Sequence, residues 1–279
     1  MFSITDRDYV LKLKDSLDIF NPIEIIVVAY IRKPSLHYIS SLQQQMKGSY
    51  KIRKFVPIQY KKVIDNYVNV FGRNSVHVNC FDRRTLYQGD LIADFVTKYL
   101  NDLDIDHKSL VSIKDKNISL SAEAIFILRK YREDNYPETD NIFFRDTGQL
   151  IQTLRSIDME MSNPRPALKP AFADIVDYAS SDPLWLKTEF GVVFPGYDYS
   201  RVSSDGQIPQ PQRPAQTRLS DILEIDPVVL DGIIKRLEVS EWIEAETGFQ
   251  RLRNWMVYKG EKRILRRAWL EEFRNSLAV

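Results

Sequence analysis

Seven consecutive apolar residues, Ile25-Ile26-Val27-Val28-Ala29-Tyr30-Ile31, run straight into Arg32-Lys33-Pro34 and then Ser35-Leu36-His37-Tyr38-Ile39-Ser40-Ser41-Leu42. A run this rich in β-branched side chains predicts a strand covered on both faces. Pro34 is placed to open a helix, because its fixed φ suits the first helical position and the N–H it lacks has no partner there anyway. The strand therefore ends on Arg32, and Ser40 follows eight residues later on the helix. A guanidinium at a strand's carboxyl end and a hydroxyl on the next helix are both able to face one bound phosphate.

The flanking segments extend this into an α/β pattern. Val10, Leu11, Leu13, Leu17 and Phe20 predict a leading helix over Tyr9–Phe20, stopped by Asn21-Pro22. The second helix is expected over residues 34–47, with Gly48 as a left-handed cap. Tyr60, Val63, Ile64, Tyr67, Val68 and Phe71 then form an i, i+3, i+4, i+7 ladder between Pro57 and Gly72. Residues 75–81 alternate as a second strand, in which His77 and Asn79 share a face as core or layer-packing polar groups. Two strands separated by helices imply a parallel pair joined right-handedly.

Further helices are expected over Asp90–Leu100 with Asp90 as cap, over Ser121–Tyr131 with Glu123 in the first turn, and over residues 146–161. No later segment offers a comparable β-branched run. Asn163-Pro164-Arg165-Pro166 reads as a loop, and Gln207 to Gln216, which holds Pro209, Pro211 and Pro214, reads as a linker. Beyond it, Leu219 to Leu237 resumes a helical pattern, and Trp242, Phe249, Trp255 and Tyr258 crowd together. Arg263, Arg266 and Arg267 are expected on a solvated, mixed-charge last helix among Glu261, Glu271 and Glu272.

Composition narrows the functional classes. Lys and Arg total 39 against 38 Asp and Glu, so no global basic field points to nucleic acid, and any polyanion site must be local. A single cysteine, Cys80, excludes an intramolecular disulfide and a cysteine-based metal cluster, and it reads as a small core residue. The three histidines, His37, His77 and His107, lack ligand spacing, so no metal is expected. Residues 1–16 lack the layout of a signal peptide, and no run approaches the roughly 18 apolar residues that cross a bilayer. The expectation is a cytoplasmic protein without a membrane span.

The strand-Arg-x-Pro-helix-Ser pattern resembles the segment of sulfotransferases that binds the 3′-phosphate of 3′-phosphoadenosine 5′-phosphosulfate (PAPS). The run from Asp15 to Asn101 is similar to bacterial sulfotransferases that modify carbohydrate-type acceptors, with weaker similarity to about Asp198. The resemblance implies a P-loop-type, sulfotransferase-like parallel sheet, PAPS as sulfate donor, a carbohydrate or other hydroxyl acceptor, and Arg32 and Ser40 on the 3′-phosphate. Ser41 competes with Ser40 for the serine role. Phe81 is implied to stack on the adenine, against the plainer reading of a core aromatic at a strand end.

The same resemblance exposes a departure. Sulfotransferases hold the 5′-phosphosulfate on a strand-loop-helix, yet the pattern G-x-x-x-x-G-K-[ST] does not occur here; Gly191 and Gly196 have the spacing but precede Tyr197. Residues 1–206 thus read as an N-terminally incomplete sulfotransferase-like α/β domain, 207–216 as the linker, and 217–279 as a helical extension. Two functions stay open. One is sulfuryl transfer from PAPS by a complete enzyme, whose catalytic base is not assigned. The other is a non-catalytic, degenerate module that binds a partner, with the C-terminal helices as a surface for another protein.

Overall fold

A computed structural model of the chain describes residues 6–100, 119–202, 218–244 and 266–277. The chain divides into two units, each assembled from separate stretches: Met1–His37, Phe55–Lys114 and Ala173–Arg213 form the first, and Tyr38–Lys54, Asp115–Phe172 and Pro214–Val279 the second. The fold class is α/β, mostly helical, with a two-stranded parallel sheet.

In the first unit, α1 (Arg7–Asp18) starts on Asp6, whose carboxylate accepts from the Asp8 N–H. Strand β1 (Val27–Ile31) leads into α2 (Pro34–Gly48), then α3 (Tyr60–Phe71), β2 (Val76–Cys80) and α4 (Leu91–Tyr99). The expected parallel pairing is present, with Val27 opposite Val76 and Ile31 opposite Cys80. Because side chains alternate along a strand, this register puts Val27, Ala29 and Ile31 beside Val76, Val78 and Cys80 on one face. That face packs on Tyr60 and Ile64 of α3, on Leu186 of α8 (Asp182–Phe190), and on Val192, Phe194 and Tyr197.

The opposite face carries Tyr30, His77 and Asn79 and meets α4. Tyr30 donates its hydroxyl to Asp94 at 2.6 Å, Lys98 reaches the same carboxylate at 2.9 Å, and the Tyr87 N–H completes it at 2.8 Å. Asp90 caps α4 as expected, accepting from the N–H groups of Ile92 and Ala93. Two expectations change here. Strand β1 is half-buried at every position rather than fully covered, because among the described residues the sheet has two strands. His77 is exposed rather than core, lying edge-on to Tyr99, whose hydroxyl Asn79 also contacts.

The second unit is helical. Helices α5 (Ala122–Asn135) and α6 (Arg145–Glu160) pack together, and the start of α7 (Pro170–Asp177) follows. Over 219–237, where a helical pattern is expected, the structure has two helices, α9 (Leu219–Ile222) and α10 (Pro227–Glu238). Leu223 instead bridges Leu168, and Asp226 with Pro227 restarts the helix, Asp226 capping it while its own N–H donates to the buried Glu123. A short turn, α11 (Glu241–Glu244), and α12 (Arg266–Leu277) complete the unit. Arg266 is buried, not solvated: it donates to the Trp242 carbonyl at 2.7 Å and to Gln149 at 2.9 Å.

The C-terminal helices thus belong with residues 38–54 and 115–172, not to a separate extension. The expected linker 207–216 and Phe249, Trp255, Tyr258, Glu261, Arg263 and His107 lie outside the described residues. Gly48 is the last residue of α2 but not a left-handed cap, being absent from the glycines with positive φ. Its value is the missing side chain: a Cβ there would stand 3.3 Å from the Asn141 Cα, where the Ile142 N–H donates to the Gly48 carbonyl.

Asp94 links the sheet to pH. Burial pushes its carboxyl pKa up, but the Tyr30, Lys98 and Tyr87 donors outweigh that and hold it below the usual carboxylate range. Its contribution is complete above the unfolded value and is lost as pH falls through the folded one. Urea unfolding of the wild type should therefore weaken steeply below about pH 4, whereas Asp94→Asn should cost about 2 kcal/mol at neutral pH and decline less on acidification.

Candidate functional site

The carboxyl ends of β1 and β2 lie side by side, and the ladder continues one step past them: the Phe81 N–H donates to the Ile31 carbonyl at 2.6 Å. Arg32 and Phe81 emerge together as a result. The Arg32 guanidinium stands over the Phe81 ring, 4.4 Å from its centroid. The contact holds the guanidinium against the ring, and the in-plane N–H groups of a guanidinium fork are the ones suited to an oxyanion.

The backbone behind Arg32 is anchored from two sides. Tyr60, at the start of α3, donates its hydroxyl to the Arg32 carbonyl at 2.7 Å. Burial, followed by the nearby carboxylates of Asp177 and Asp182, pushes the Tyr60 phenol far up, so it stays a neutral donor. Asp177, at the end of α7, joins Lys33 at 2.8 Å and accepts the Ser35 N–H at 2.8 Å. The Tyr197 hydroxyl in turn donates to the Asp177 carbonyl at 2.9 Å.

This arrangement answers a local problem. Helix α2 begins after Lys33, whose side chain has no acceptor to offer the first helical N–H groups. Asp177 supplies that acceptor from 142 positions away in sequence. It also satisfies the positive end of the helix, which favours negative charge.

Cations at the strand ends are partly committed. Arg84 forms a forked bond to Asp82 at 2.9 and 2.7 Å, and this bond is the main reason the Asp82 carboxyl lies below its ordinary range. His37, half-buried in the first turn of α2, is held toward the neutral form by burial and then by the charge of Arg32. Burial pushes the Cys80 thiol up, which keeps it protonated.

Of the residues singled out from the sequence, Arg32 and Phe81 come together. Ser40 is half-buried and Ser41 exposed, both on the part of α2 assigned to the second unit. The sequence reading missed Lys33, Tyr60, Asp177 and Tyr197 as partners of this strand end. One signal was available: a helix that opens Lys-Pro-Ser without a capping side chain requires an acceptor from elsewhere.

Comparison with protein-family models, with curated proteins and with solved structures finds no match. Among the described residues, no group of His, Cys, Asp and Glu is arranged to hold a metal ion, and no helix is long and apolar enough to cross a membrane.

Replacing Asp177 tests the anchor. Asp177→Ala leaves Lys33 unpaired and the Ser35 N–H without its acceptor, and should cost about 3 kcal/mol in denaturant unfolding. Asp177→Asn should cost less, because its amide oxygen can still accept from Ser35.

Proposed function

We propose that this chain binds a 3′-phosphorylated adenine nucleotide of the PAPS type through a sulfotransferase-like parallel sheet, and that its reaction class is sulfuryl transfer to a hydroxyl of a carbohydrate-type acceptor. One observation carries the reading: Arg32 leaves the end of a parallel strand with its backbone anchored and its guanidinium stacked on Phe81. Ligands of open α/β sheets bind outside the carboxyl ends of the strands. The residues present suit the nucleotide's phosphate, since Arg32 offers a planar fork.

In this reading Arg32 holds the 3′-phosphate. Phe81 lies against Arg32 and, in this reading, also meets the adenine. The donor supplies a sulfuryl group already activated by its phosphate leaving group. The acceptor oxygen displaces that phosphate at sulfur, and the hydroxyl proton passes to a base.

The second reading, nucleotide binding without transfer, is favoured by the commitment of Lys33 to Asp177 and of Arg84 to Asp82. Both are basic side chains that would otherwise neutralise a departing phosphate. The binding step is common to both readings.

Adenosine 3′,5′-bisphosphate should raise the unfolding temperature of the full chain, by roughly 5 °C at a hundredfold excess over its dissociation constant. Arg32→Ala should abolish the rise. No rise with the intact chain would overturn both readings, and release of sulfate onto an oligosaccharide from labelled PAPS would decide for transfer.

A further inference from the structure

The apolar run Ile25 to Ile31 is longer than the ladder it enters. Only Val27–Ile31 pair with β2, and each of these residues stays half-buried. In a parallel pair, alternate residues point their backbone N–H and C=O groups to opposite sides of the strand. The Phe81 N–H donates to the Ile31 carbonyl, so Val27, Ala29 and Ile31 turn theirs toward β2, and Val28 and Tyr30 turn theirs outward. Among the described residues, those outward backbone groups have no partner. On β2 the matching outward positions, Val76 and Val78, are only 2% and 8% exposed, so that edge is covered. The open edge belongs to β1.

The segment leading into this edge is apolar and uncovered. Helix α1 ends in turn bonds from the Phe20 N–H to the Leu17 carbonyl and from Asn21 to Asp18, and the chain then runs through Pro22 to β1. Along it Ile19 is 81% exposed, Phe20 80%, Ile23 107% and Ile26 45%. Within eight residues these side chains present on the order of 500 Å² of apolar surface, the size of the largest patch on a typical monomer. Single exposed apolar residues are ordinary, but a group of this size beside an unpaired strand edge marks an interface.

We propose that the β1 edge and this segment form the two-fold interface of a homodimer, in which β1 of two copies pair antiparallel to make one four-stranded sheet. The residues suit that symmetry. Centred on Ala29, the pairing sets Val28 opposite Tyr30 of the second copy and the reverse, and these are the residues whose backbone groups face outward. Ala29 then meets its own counterpart at a non-hydrogen-bonded position, where Cα atoms approach to about 4.5 Å and side chains crowd most. Alanine is the smallest residue of β1. The Arg32 carbonyl is engaged by the Tyr60 hydroxyl, which ends the new ladder at Tyr30. Together the edge and the four side chains approach the roughly 800 Å² that each partner of a stable complex buries. The interface lies within the first unit and does not depend on the nucleotide reading at Arg32.

The test is sedimentation of the full chain over a range of concentrations, without nucleotide. An interface of this size is expected to dissociate on the order of 10 µM, so the wild type should pass from monomer to dimer as its concentration rises through that value. Ile23→Lys and Ile26→Lys should each keep the chain monomeric there with an unchanged circular dichroism spectrum, because both side chains are exposed. Val239→Lys, at an exposed apolar position of the second unit, should leave the dimer intact. Amide exchange locates the pairing without any variant. The Val28 and Tyr30 N–H groups should exchange about tenfold more slowly in the dimer, and the Ala29 N–H, already turned to β2, should change less. A wild type that stays monomeric at about tenfold the expected dissociation constant would overturn the proposal and leave the edge to a strand of a different protein. So would a dimer that both lysine variants retain, or one in which Val28 and Tyr30 exchange as in the monomer.

Discussion

The parallel ladder between β1 and β2 is the constraint on which the first unit depends. Each strand alone would leave a row of unpaired backbone groups. Paired in the register Val27 to Val76 through Ile31 to Cys80, they present one apolar face to α3 and α8 and one mixed face to α4. The same register sets Arg32 beside Phe81. A slip of one residue would turn Val76 and Val78 away from the core and carry Phe81 to the other face of the sheet. Fold and candidate site are therefore specified by one set of hydrogen bonds.

The second unit has a different organising element, the fully buried Arg132. Its guanidinium donates to the carbonyls of Gly48 and Ile142 at 2.7 and 3.1 Å and to Thr139 at 3.2 Å, and it lies over the rings of Tyr136 and Phe144. A buried charge is tolerated when donors and acceptors are matched in this way. Here it serves the end of α2, where helix carbonyls have no partners of their own. Nearby Asp146 is held by the hydroxyls of Tyr131 and Tyr136.

Local patterns made much of the architecture legible. The β-branched run, Pro34, the ladder of α3 and the cap at Asp90 each depend on neighbours within a few residues, and each led to the element observed. Errors arose where distant residues decide. Gly48 reads as a cap until Asn141 is seen packed against it. Arg266 looks solvated by its charged neighbours, yet Trp242 and Gln149 bury it. At the candidate site, Arg32 and Phe81 were visible because each terminates a strand. Tyr60 and Asp177 were not, because their roles follow from tertiary contacts across 28 and 142 positions.

The central claim is that the anchored, ring-stacked Arg32 at the end of the parallel pair receives the phosphate of a nucleotide. A crystal structure of the full chain grown with adenosine 3′,5′-bisphosphate addresses it most directly. The account predicts a phosphate within hydrogen-bonding distance of the Arg32 guanidinium, with Tyr60 still bonded to the Arg32 carbonyl and the adenine against the Phe81 ring. A nucleotide bound away from the carboxyl ends of β1 and β2, with Arg32 making no contact to it, would contradict the account.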